Sequence, residues 1–131
     1  LILMEGKTAY VMMNLYPYIN GHLMVIPYRH VFKLSDLSAE EKLELFELVD
    51  ISVKALQECL HPEGFNIGIN LGKAAGAGVD DHVHIHIVPR WIGDTNFMTI
   101  IGEVRVIPDD LIKTWEKLLP YFKNVCQEDS I

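Results

Sequence analysis

The sequence predicts an α+β fold: one antiparallel sheet of five to six strands, one long helix after strand 3, and a C-terminal helix. Apolar runs of strand length lie on both sides of the long helical pattern, and the second helical pattern follows them. The strands do not alternate with helices, as they would in a parallel sheet, so antiparallel pairing is expected. A chain of 131 residues can bury one real core, which predicts a single domain over residues 1–131.

The composition, with 50% hydrophobic and 22% charged residues, is that of an ordinary globular protein. The formal net charge of -7 argues against nucleic acid or anionic lipid as a partner, and no apolar run approaches the ~20 residues that cross a bilayer. Cys59 and Cys126 match neither a disulfide framework nor a zinc spacing, which favours a reducing, cytoplasmic setting. Because the chain begins Leu1-Ile2-Leu3-Met4, we expect its natural N-terminus to lie upstream.

The first three strands are predicted from turn residues between apolar runs. Glu5-Gly6-Lys7 separates the runs 1–4 and 8–13, which should form a hairpin. A loop then closes at Asn20-Gly21, a tight-turn pair, and a third strand is predicted over His22–Pro27. We expect His22, inside that strand, to be a hydrogen-bonded support rather than a reacting group.

A long helix is predicted from Ser35 to Leu60. Ser38 and Glu41 have the spacing of a capping box at its start. Apolar residues then recur at helical spacing and should face the sheet: Leu45, Leu48, Val49, Val53, Leu56 and Leu60. The segment 61–64 contains Pro62 and Gly64 and ends the helix.

In the second half, a strand is predicted over Phe65–Leu71, followed by a small-residue loop from Gly72 to Gly78. The histidine-rich stretch 81–90 comes next, and the pattern of 103–107 favours another short strand. Pro108 and Asp109 then open a second helix, from Leu111 to about Val125.

His82, His84 and His86 account for half of the six histidines and alternate with aliphatic residues. A period of two is the period of a β-strand, so the three imidazoles should share one face, about 6.5 to 7 Å from each to the next. The aliphatic residues should point to the core. Three histidines in strict alternation are rare on a strand whose outer face is simply exposed to solvent.

Two chemical interpretations remain from the residues alone. One is a metal site, for which His22 and His30 would add ligands, because His82 and His86 lie about 13 Å apart and reach one ion poorly. The other is covalent phosphorus chemistry, because neutral imidazole is a good nucleophile and the loop 72–78 can bring backbone N–H groups to phosphate oxygens.

The stretch His82–Val88 resembles the His-φ-His-φ-His-φ-φ signature of the histidine triad superfamily. An upstream block supports the resemblance: Pro17, Gly21-His22-Leu23, Ile26-Pro27 and His30. The loop residues Asn70-Leu71-Gly72 and Ala75-Gly76 are similar to those before the triad, and 88–97 resembles the branch with bacterial diadenosine tetraphosphate phosphorylases and related hydrolases.

The resemblance implies nucleotidyl transfer, with His84 attacking the α-phosphate of a nucleotide to give a nucleotidyl-histidine intermediate. His82 would orient His84 through its backbone carbonyl, and His86 would contact phosphate and bridging oxygens. His30 would help to fix this histidine network. Dinucleoside polyphosphates such as diadenosine tetraphosphate are the implied substrates; a nucleoside phosphoramidate hydrolase and a non-catalytic nucleotide-binding module are the alternatives.

The resemblance also places Asn14 near the ribose, and Asn70 with Gly76, Ala77 and Gly78 near phosphate and ribose. Trp91, at the end of the triad strand, is a further candidate for the nucleotide pocket. Many relatives carry a polar side chain where this chain has Ala77-Gly78-Val79, which leaves hydrolysis and phosphorolysis both open. The family implies a homodimer and requires no metal; a cysteine-based zinc site of some relatives would fall in the upstream segment.

Overall fold

In the computed structural model, residues 1–15, 20–76, 82–94 and 108–129 are described. Five antiparallel strands form one sheet in the order β1-β2-β3-β5-β4; they are β1 Ile2–Glu5, β2 Ala9–Met13, β3 Leu23–Pro27, β4 Gly64–Gly68 and β5 Ile85–Arg90. Two long helices, α1 Ala39–Leu60 and α2 Pro108–Asp129, follow β3 and end the described chain, and short 3-10 helices lie at Leu34–Asp36 and Lys73–Ala75. The predicted α+β class, strand number and helix order are confirmed.

The turn between β1 and β2 is held from both sides. The Gly6 N–H donates to the Ala9 carbonyl at 2.8 Å, which closes the turn. The Glu44 carboxylate of α1 accepts from the backbone N–H groups of Lys7, Thr8 and Ala9. A charged acceptor shared by three donors fixes the start of α1 against this hairpin.

Gly21 is required where the chain enters β3. Its φ is 87°, in the left-handed region, and a Cβ there would lie 2.7 Å from Leu60 Cδ1. Any other residue would meet both strain and a clash with the end of α1. This turn therefore fixes the position of the next residue, His22, which is fully buried.

The start of α1 confirms the capping box and corrects the predicted boundary. The Ser38 side chain accepts from the Glu41 N–H, and the Glu41 carboxylate accepts from the Ser38 N–H. Ser38 and Leu37 have extended backbones, so the helix begins at Ala39 rather than at Ser35. Residues 34–36 form a separate 3-10 turn, because an N-cap needs non-helical dihedrals.

Both helices cover one face of the sheet. α1 packs on β2, β3 and β5, and α2 packs on α1 and β1. The core between them is aliphatic and contains Val11, Leu23, Leu48, Leu56 and Leu118 among others. Among the described residues, no helix is long and apolar enough to cross a membrane.

The pairing of β3 with β5 joins segments that are far apart in sequence. Leu23 lies opposite Ile87, and Met24 lies opposite His86. The regular strand covers Ile85–Arg90, so within the predicted histidine stretch 81–90 it begins only after His82 and His84. The partner strand ends at Pro27, which has no N–H to extend the ladder.

Two other strand predictions differ from the structure. β3 begins at Leu23, one residue after the predicted start, and β4 covers Gly64–Gly68 instead of Phe65–Leu71. The predicted strand over 103–107 lies outside the described residues.

Candidate active site

The alternation of the triad is confirmed by burial. Val83, Ile85 and Ile87 are 3%, 4% and 0% exposed, and the histidines between them are half-buried. Burying such side chains is worth about 1.5–3 kcal/mol each, so the aliphatic residues decide which way the stretch faces. The imidazoles are thereby placed on the face away from α1.

Hydrogen bonds link the imidazoles in a row. His84 Nδ1 lies 2.9 Å from the His82 carbonyl oxygen, and His84 Nε2 lies 3.0 Å from His86 Nε2. His86 Nδ1 lies 2.9 Å from His22 Nε2. Asn14 Nδ2 lies 3.3 Å from both ring nitrogens of His22. We call this arrangement the histidine row: Asn14, His22, His86, His84 and the His82 carbonyl.

The contacts of the histidine row assign a proton position to each neutral ring. A carbonyl only accepts, so the proton of His84 is on Nδ1 and its Nε2 carries a lone pair. His86 Nε2 must then donate to that lone pair, which leaves His86 Nδ1 as an acceptor. His22 Nε2 in turn donates to His86 Nδ1. The Asn14 amide then donates to His22 Nδ1, so each contact between two rings joins one donor to one acceptor.

The rings of His22 and His86 are held in their neutral form, chiefly by burial. Burial, with smaller contributions from the nearby His86 and His84, lowers the pKa of His22 to about 4. Burial also lowers the pKa of His86, with a contribution from His84. At neutral pH both rings therefore act as hydrogen-bonding groups and not as cations.

His30 contacts the opposite end of the site from His22. Its ring lies 4.3 Å, centre to centre, from the ring of His82, with 33° between the planes. The Val83 N–H donates to the Val31 carbonyl at 2.7 Å and holds the two segments together. His30 thus lies against the triad as expected, beside His82 rather than beside His84.

The nucleotide-binding candidates are not all brought to the histidine row. Asn14 contacts His22. Asn70 is exposed and lies in the loop that follows β4. A Cβ on Gly76 would lie 3.9 Å from Asn70 Nδ2, so these two candidates are neighbours. Ala77 and Gly78 lie outside the described residues. A role for these residues in binding a nucleotide stays a prediction.

Trp91 follows the C-terminal end of β5, and His86 lies near the start of the strand. With Glu63, Arg90 and Ile92, Trp91 lines a cavity of about 250 Å³. Arg90 pairs with Asp94 at 2.8 Å, and both residues line this cavity. The position of Trp91 is therefore separate from the row of imidazoles along β5.

The contact of Asn14 with His22 was not predicted from the sequence. The Asn14 N–H donates to the His22 carbonyl at 3.0 Å, so the two residues face each other across the mouth of the 14–21 loop. The available signal was their position, because residues that flank a hairpin loop lie opposite each other. His22 itself is the hydrogen-bonded support that we expected.

The metal interpretation used His22 and His30 as extra ligands. The structure places them at opposite ends of the site, His22 on His86 and His30 on His82. Among the residues that the structure describes, no three His, Cys, Asp or Glu side chains are grouped so as to hold a metal ion.

Fold and site together define a histidine triad protein: an antiparallel sheet with helices on one face and a row of linked imidazoles on the other. The HIT domain model matches residues 1–91, and the chain belongs to this family.

Relatives and solved structures agree with this assignment. An AP-4-A phosphorylase of Mycobacterium tuberculosis is 46% identical over 119 residues, which are 91% of this chain and 60% of that protein. The asymmetrical bis(5'-nucleosyl)-tetraphosphatase of Schizosaccharomyces pombe is 39% identical over 67% of this chain and 48% of its own length. The chain thus spans about half to three fifths of these relatives. A zinc-bound histidine triad family protein from Mycobacterium smegmatis superposes with a TM-score of 0.78 at 29% identity, over 97% of this chain and 86% of that one.

Proposed function

We propose that this protein is a nucleotidyl hydrolase or transferase acting at the α-phosphate of dinucleoside polyphosphates such as diadenosine tetraphosphate. The observation that carries the proposal is the contact of His84 Nδ1 with the His82 carbonyl, because it leaves the Nε2 lone pair of His84 as the nucleophile. The names of the phosphorylase and tetraphosphatase relatives support this choice of substrate.

In the first step, His84 Nε2 forms a bond to the α-phosphorus, and the bond from that phosphorus to the bridging oxygen breaks. The leaving polyphosphate departs as an anion and needs no proton. His86 turns its Nε2–H from His84 toward the phosphate and bridging oxygens, where it stabilises the developing charge. The positive charge on the modified His84 ring is stabilised through Nδ1–H by the His82 carbonyl.

In the second step, water or inorganic phosphate attacks the same phosphorus atom and the bond to His84 breaks. Attack by water gives the mononucleotide and releases a proton; attack by phosphate gives the nucleoside diphosphate. The lone pair returns to His84 Nε2 in both cases. The enzyme is thereby regenerated without any change in oxidation state.

Product analysis tests the proposal. The protein is incubated with diadenosine tetraphosphate, with and without inorganic phosphate. ADP and ATP that appear only with phosphate indicate phosphorolysis, and AMP with ATP in water alone indicates hydrolysis; two ADP in water alone would show attack at a β-phosphate and contradict the proposal. His84→Ala should lower kcat by at least roughly 10³-fold and leave mononucleotide binding largely intact. The control is His61→Ala, at the exposed end of α1. Near-normal rates in the His84 variant would contradict the proposal.

The proposed reaction requires no metal ion, because imidazole supplies both the nucleophile and the hydrogen-bond donor. Activity should therefore survive dialysis against a chelator. Loss of turnover in the chelator, restored by zinc, would favour a metal-dependent hydrolase instead. The zinc-bound Mycobacterium smegmatis relative makes this control necessary.

We further propose that the protein is a homodimer that acts in the cytoplasm. β4 is the edge strand of the sheet, and its Ile67 side chain is 50% exposed. An edge strand with an exposed aliphatic residue can pair with a second copy of itself. The buried free thiol of Cys59 is compatible with a reducing compartment.

A further inference from the structure

Phe32 lies beside the triad on the exposed side of the chain. Its side chain is 53% exposed, although a large aromatic residue gains most when it is buried. None of the steps proposed above uses it. An aromatic ring left in solvent next to a reactive site is a candidate contact for a planar ligand.

A backbone hydrogen bond places Phe32 close to the start of the triad. The Val83 N–H donates to the carbonyl of Val31, the residue before Phe32, and the side chains of Val83 and Val31 are buried, with 3% and 6% exposure. His30 and Phe32, on either side of Val31, are both exposed, so their side chains point away from the core. The ring of His30 contacts the ring of His82 on this outer side.

The site thus has two different ends. His22, held by Asn14, contacts His86 at one end, and His30 contacts His82 at the other, with Phe32 two residues after His30. His82 and His86 are four residues apart, which corresponds to about 13 Å along an extended chain. A substrate with a nucleoside at each end of a polyphosphate could span both ends while His84 meets its α-phosphate.

We propose that Phe32 stacks on the base of the leaving half of the substrate. This rests on the proposed function, and on the expected position of Asn14 near the ribose of the transferred nucleotide at the other end. Base–aromatic stacking requires only an accessible ring face, and Phe32 provides one. Phe32 therefore favours dinucleoside polyphosphates over nucleotides that lack a second nucleoside.

The test compares diadenosine tetraphosphate with adenosine 5'-tetraphosphate, which has the same phosphates and no second nucleoside. The values of kcat and KM are measured for the wild type, Phe32→Ala and Phe32→Trp. Phe46→Ala is the matched control, because Phe46 is an exposed phenylalanine on α1, at 72%. Unfolding curves for each variant exclude a folding defect.

We expect Phe32→Ala to lower kcat/KM for diadenosine tetraphosphate roughly ten-fold, mainly by raising KM. The value of kcat/KM for adenosine tetraphosphate should not change. Phe32→Trp and Phe46→Ala should keep the wild-type preference. The proposal is overturned if Phe32→Ala leaves the preference for diadenosine tetraphosphate unchanged, or if it lowers kcat/KM for both substrates equally. A wild type that cleaves neither substrate would overturn the proposed function, and the role of Phe32 with it.

Discussion

A single imidazole has two nitrogens and one proton, and its reactivity depends on which nitrogen is free. In the histidine row the contacts settle this for each neutral ring, from the Asn14 amide to the His82 carbonyl. His22 is the one ring of the row that is fully buried, so no substrate reaches it. Its effect on the reaction must therefore pass through His86, which makes His22 a positioning residue.

The positioning role of His22 can be tested with variants that keep or remove an N–H donor at this position. Gln can present an N–H near the position of Nε2, and Leu cannot. His22→Leu should lower kcat by roughly 10- to 100-fold with little change in KM, since His86 loses the partner that fixes its proton. His22→Gln should recover much of the loss. Equal kcat values for the two variants, both being folded by circular dichroism, would argue against this positioning role.

At the level of elements, helix α1 ends at a residue whose backbone conformation is unfavourable. His61 caps the helix in the left-handed region, with φ at 52°, where glycine carries no penalty. His61→Gly should raise the free energy of unfolding by about 1 kcal/mol, measured by urea denaturation. Gln57→Gly, in the last turn of the helix itself, should lower it instead. A destabilised His61→Gly variant would contradict this account of the helix end.

The other end of α1 carries a pH-sensitive contact. The Arg29 guanidinium lowers the pKa of Glu41 to about 2, and the Ser38 N–H adds to the shift. Because the folded pKa lies below the ordinary value near 4.5, the contact stabilises the fold above about pH 4.5. Its contribution is lost as the pH falls toward 2. The unfolded state binds the proton first, so acid favours unfolding.

Glu41→Gln should therefore flatten the loss of stability between about pH 4.5 and pH 2. Urea unfolding at a series of pH values measures the slope. Glu47→Gln, on the exposed side of α1, is the control and should keep the wild-type slope. A Glu41→Gln variant as acid-sensitive as the wild type would show that this carboxylate is not the group responsible.

For the whole molecule, the edge of the sheet predicts how copies of the chain meet. A lysine at the position of Ile67 on β4 would place like charges next to each other if two β4 strands paired. We therefore expect Ile67→Lys to convert a dimer into a monomer in light scattering coupled to size exclusion. Ile112→Lys, on the outer side of α2, should stay dimeric. A monomeric wild type, or a dimeric Ile67→Lys variant, would refute pairing through β4.

The sequence predicted those features that depend on near neighbours. The capping box of Ser38 and Glu41 and the alternation of Val83, Ile85 and Ile87 are local patterns, and the structure confirms them. The contact of His22 with His86 joins residues 64 apart, and its geometry depends on the register of β3 against β5. No local pattern encodes that register.

The bounds of the strands were also less predictable, because they depend on the strand that lies alongside. β5 begins at Ile85, where its pairing with Val25 of β3 begins, so its start follows the neighbouring strand and not the histidine pattern. The placement of Phe32 similarly follows from the bond between Val83 and Val31. The histidines of the site could be singled out from residue types and spacing, but which of them contact each other depended on the paired strands.

The central claim is that His84 becomes covalently bound to the nucleotide. Its most direct test is to mix the protein with diadenosine tetraphosphate, quench in base, where a phosphorus–imidazole bond survives, and locate the adduct by peptide mass spectrometry. The account predicts an adenylyl group on His84, formed and consumed within a single turnover and absent from His84→Ala. Product formation with no adduct on His84 at any time within that turnover would contradict it.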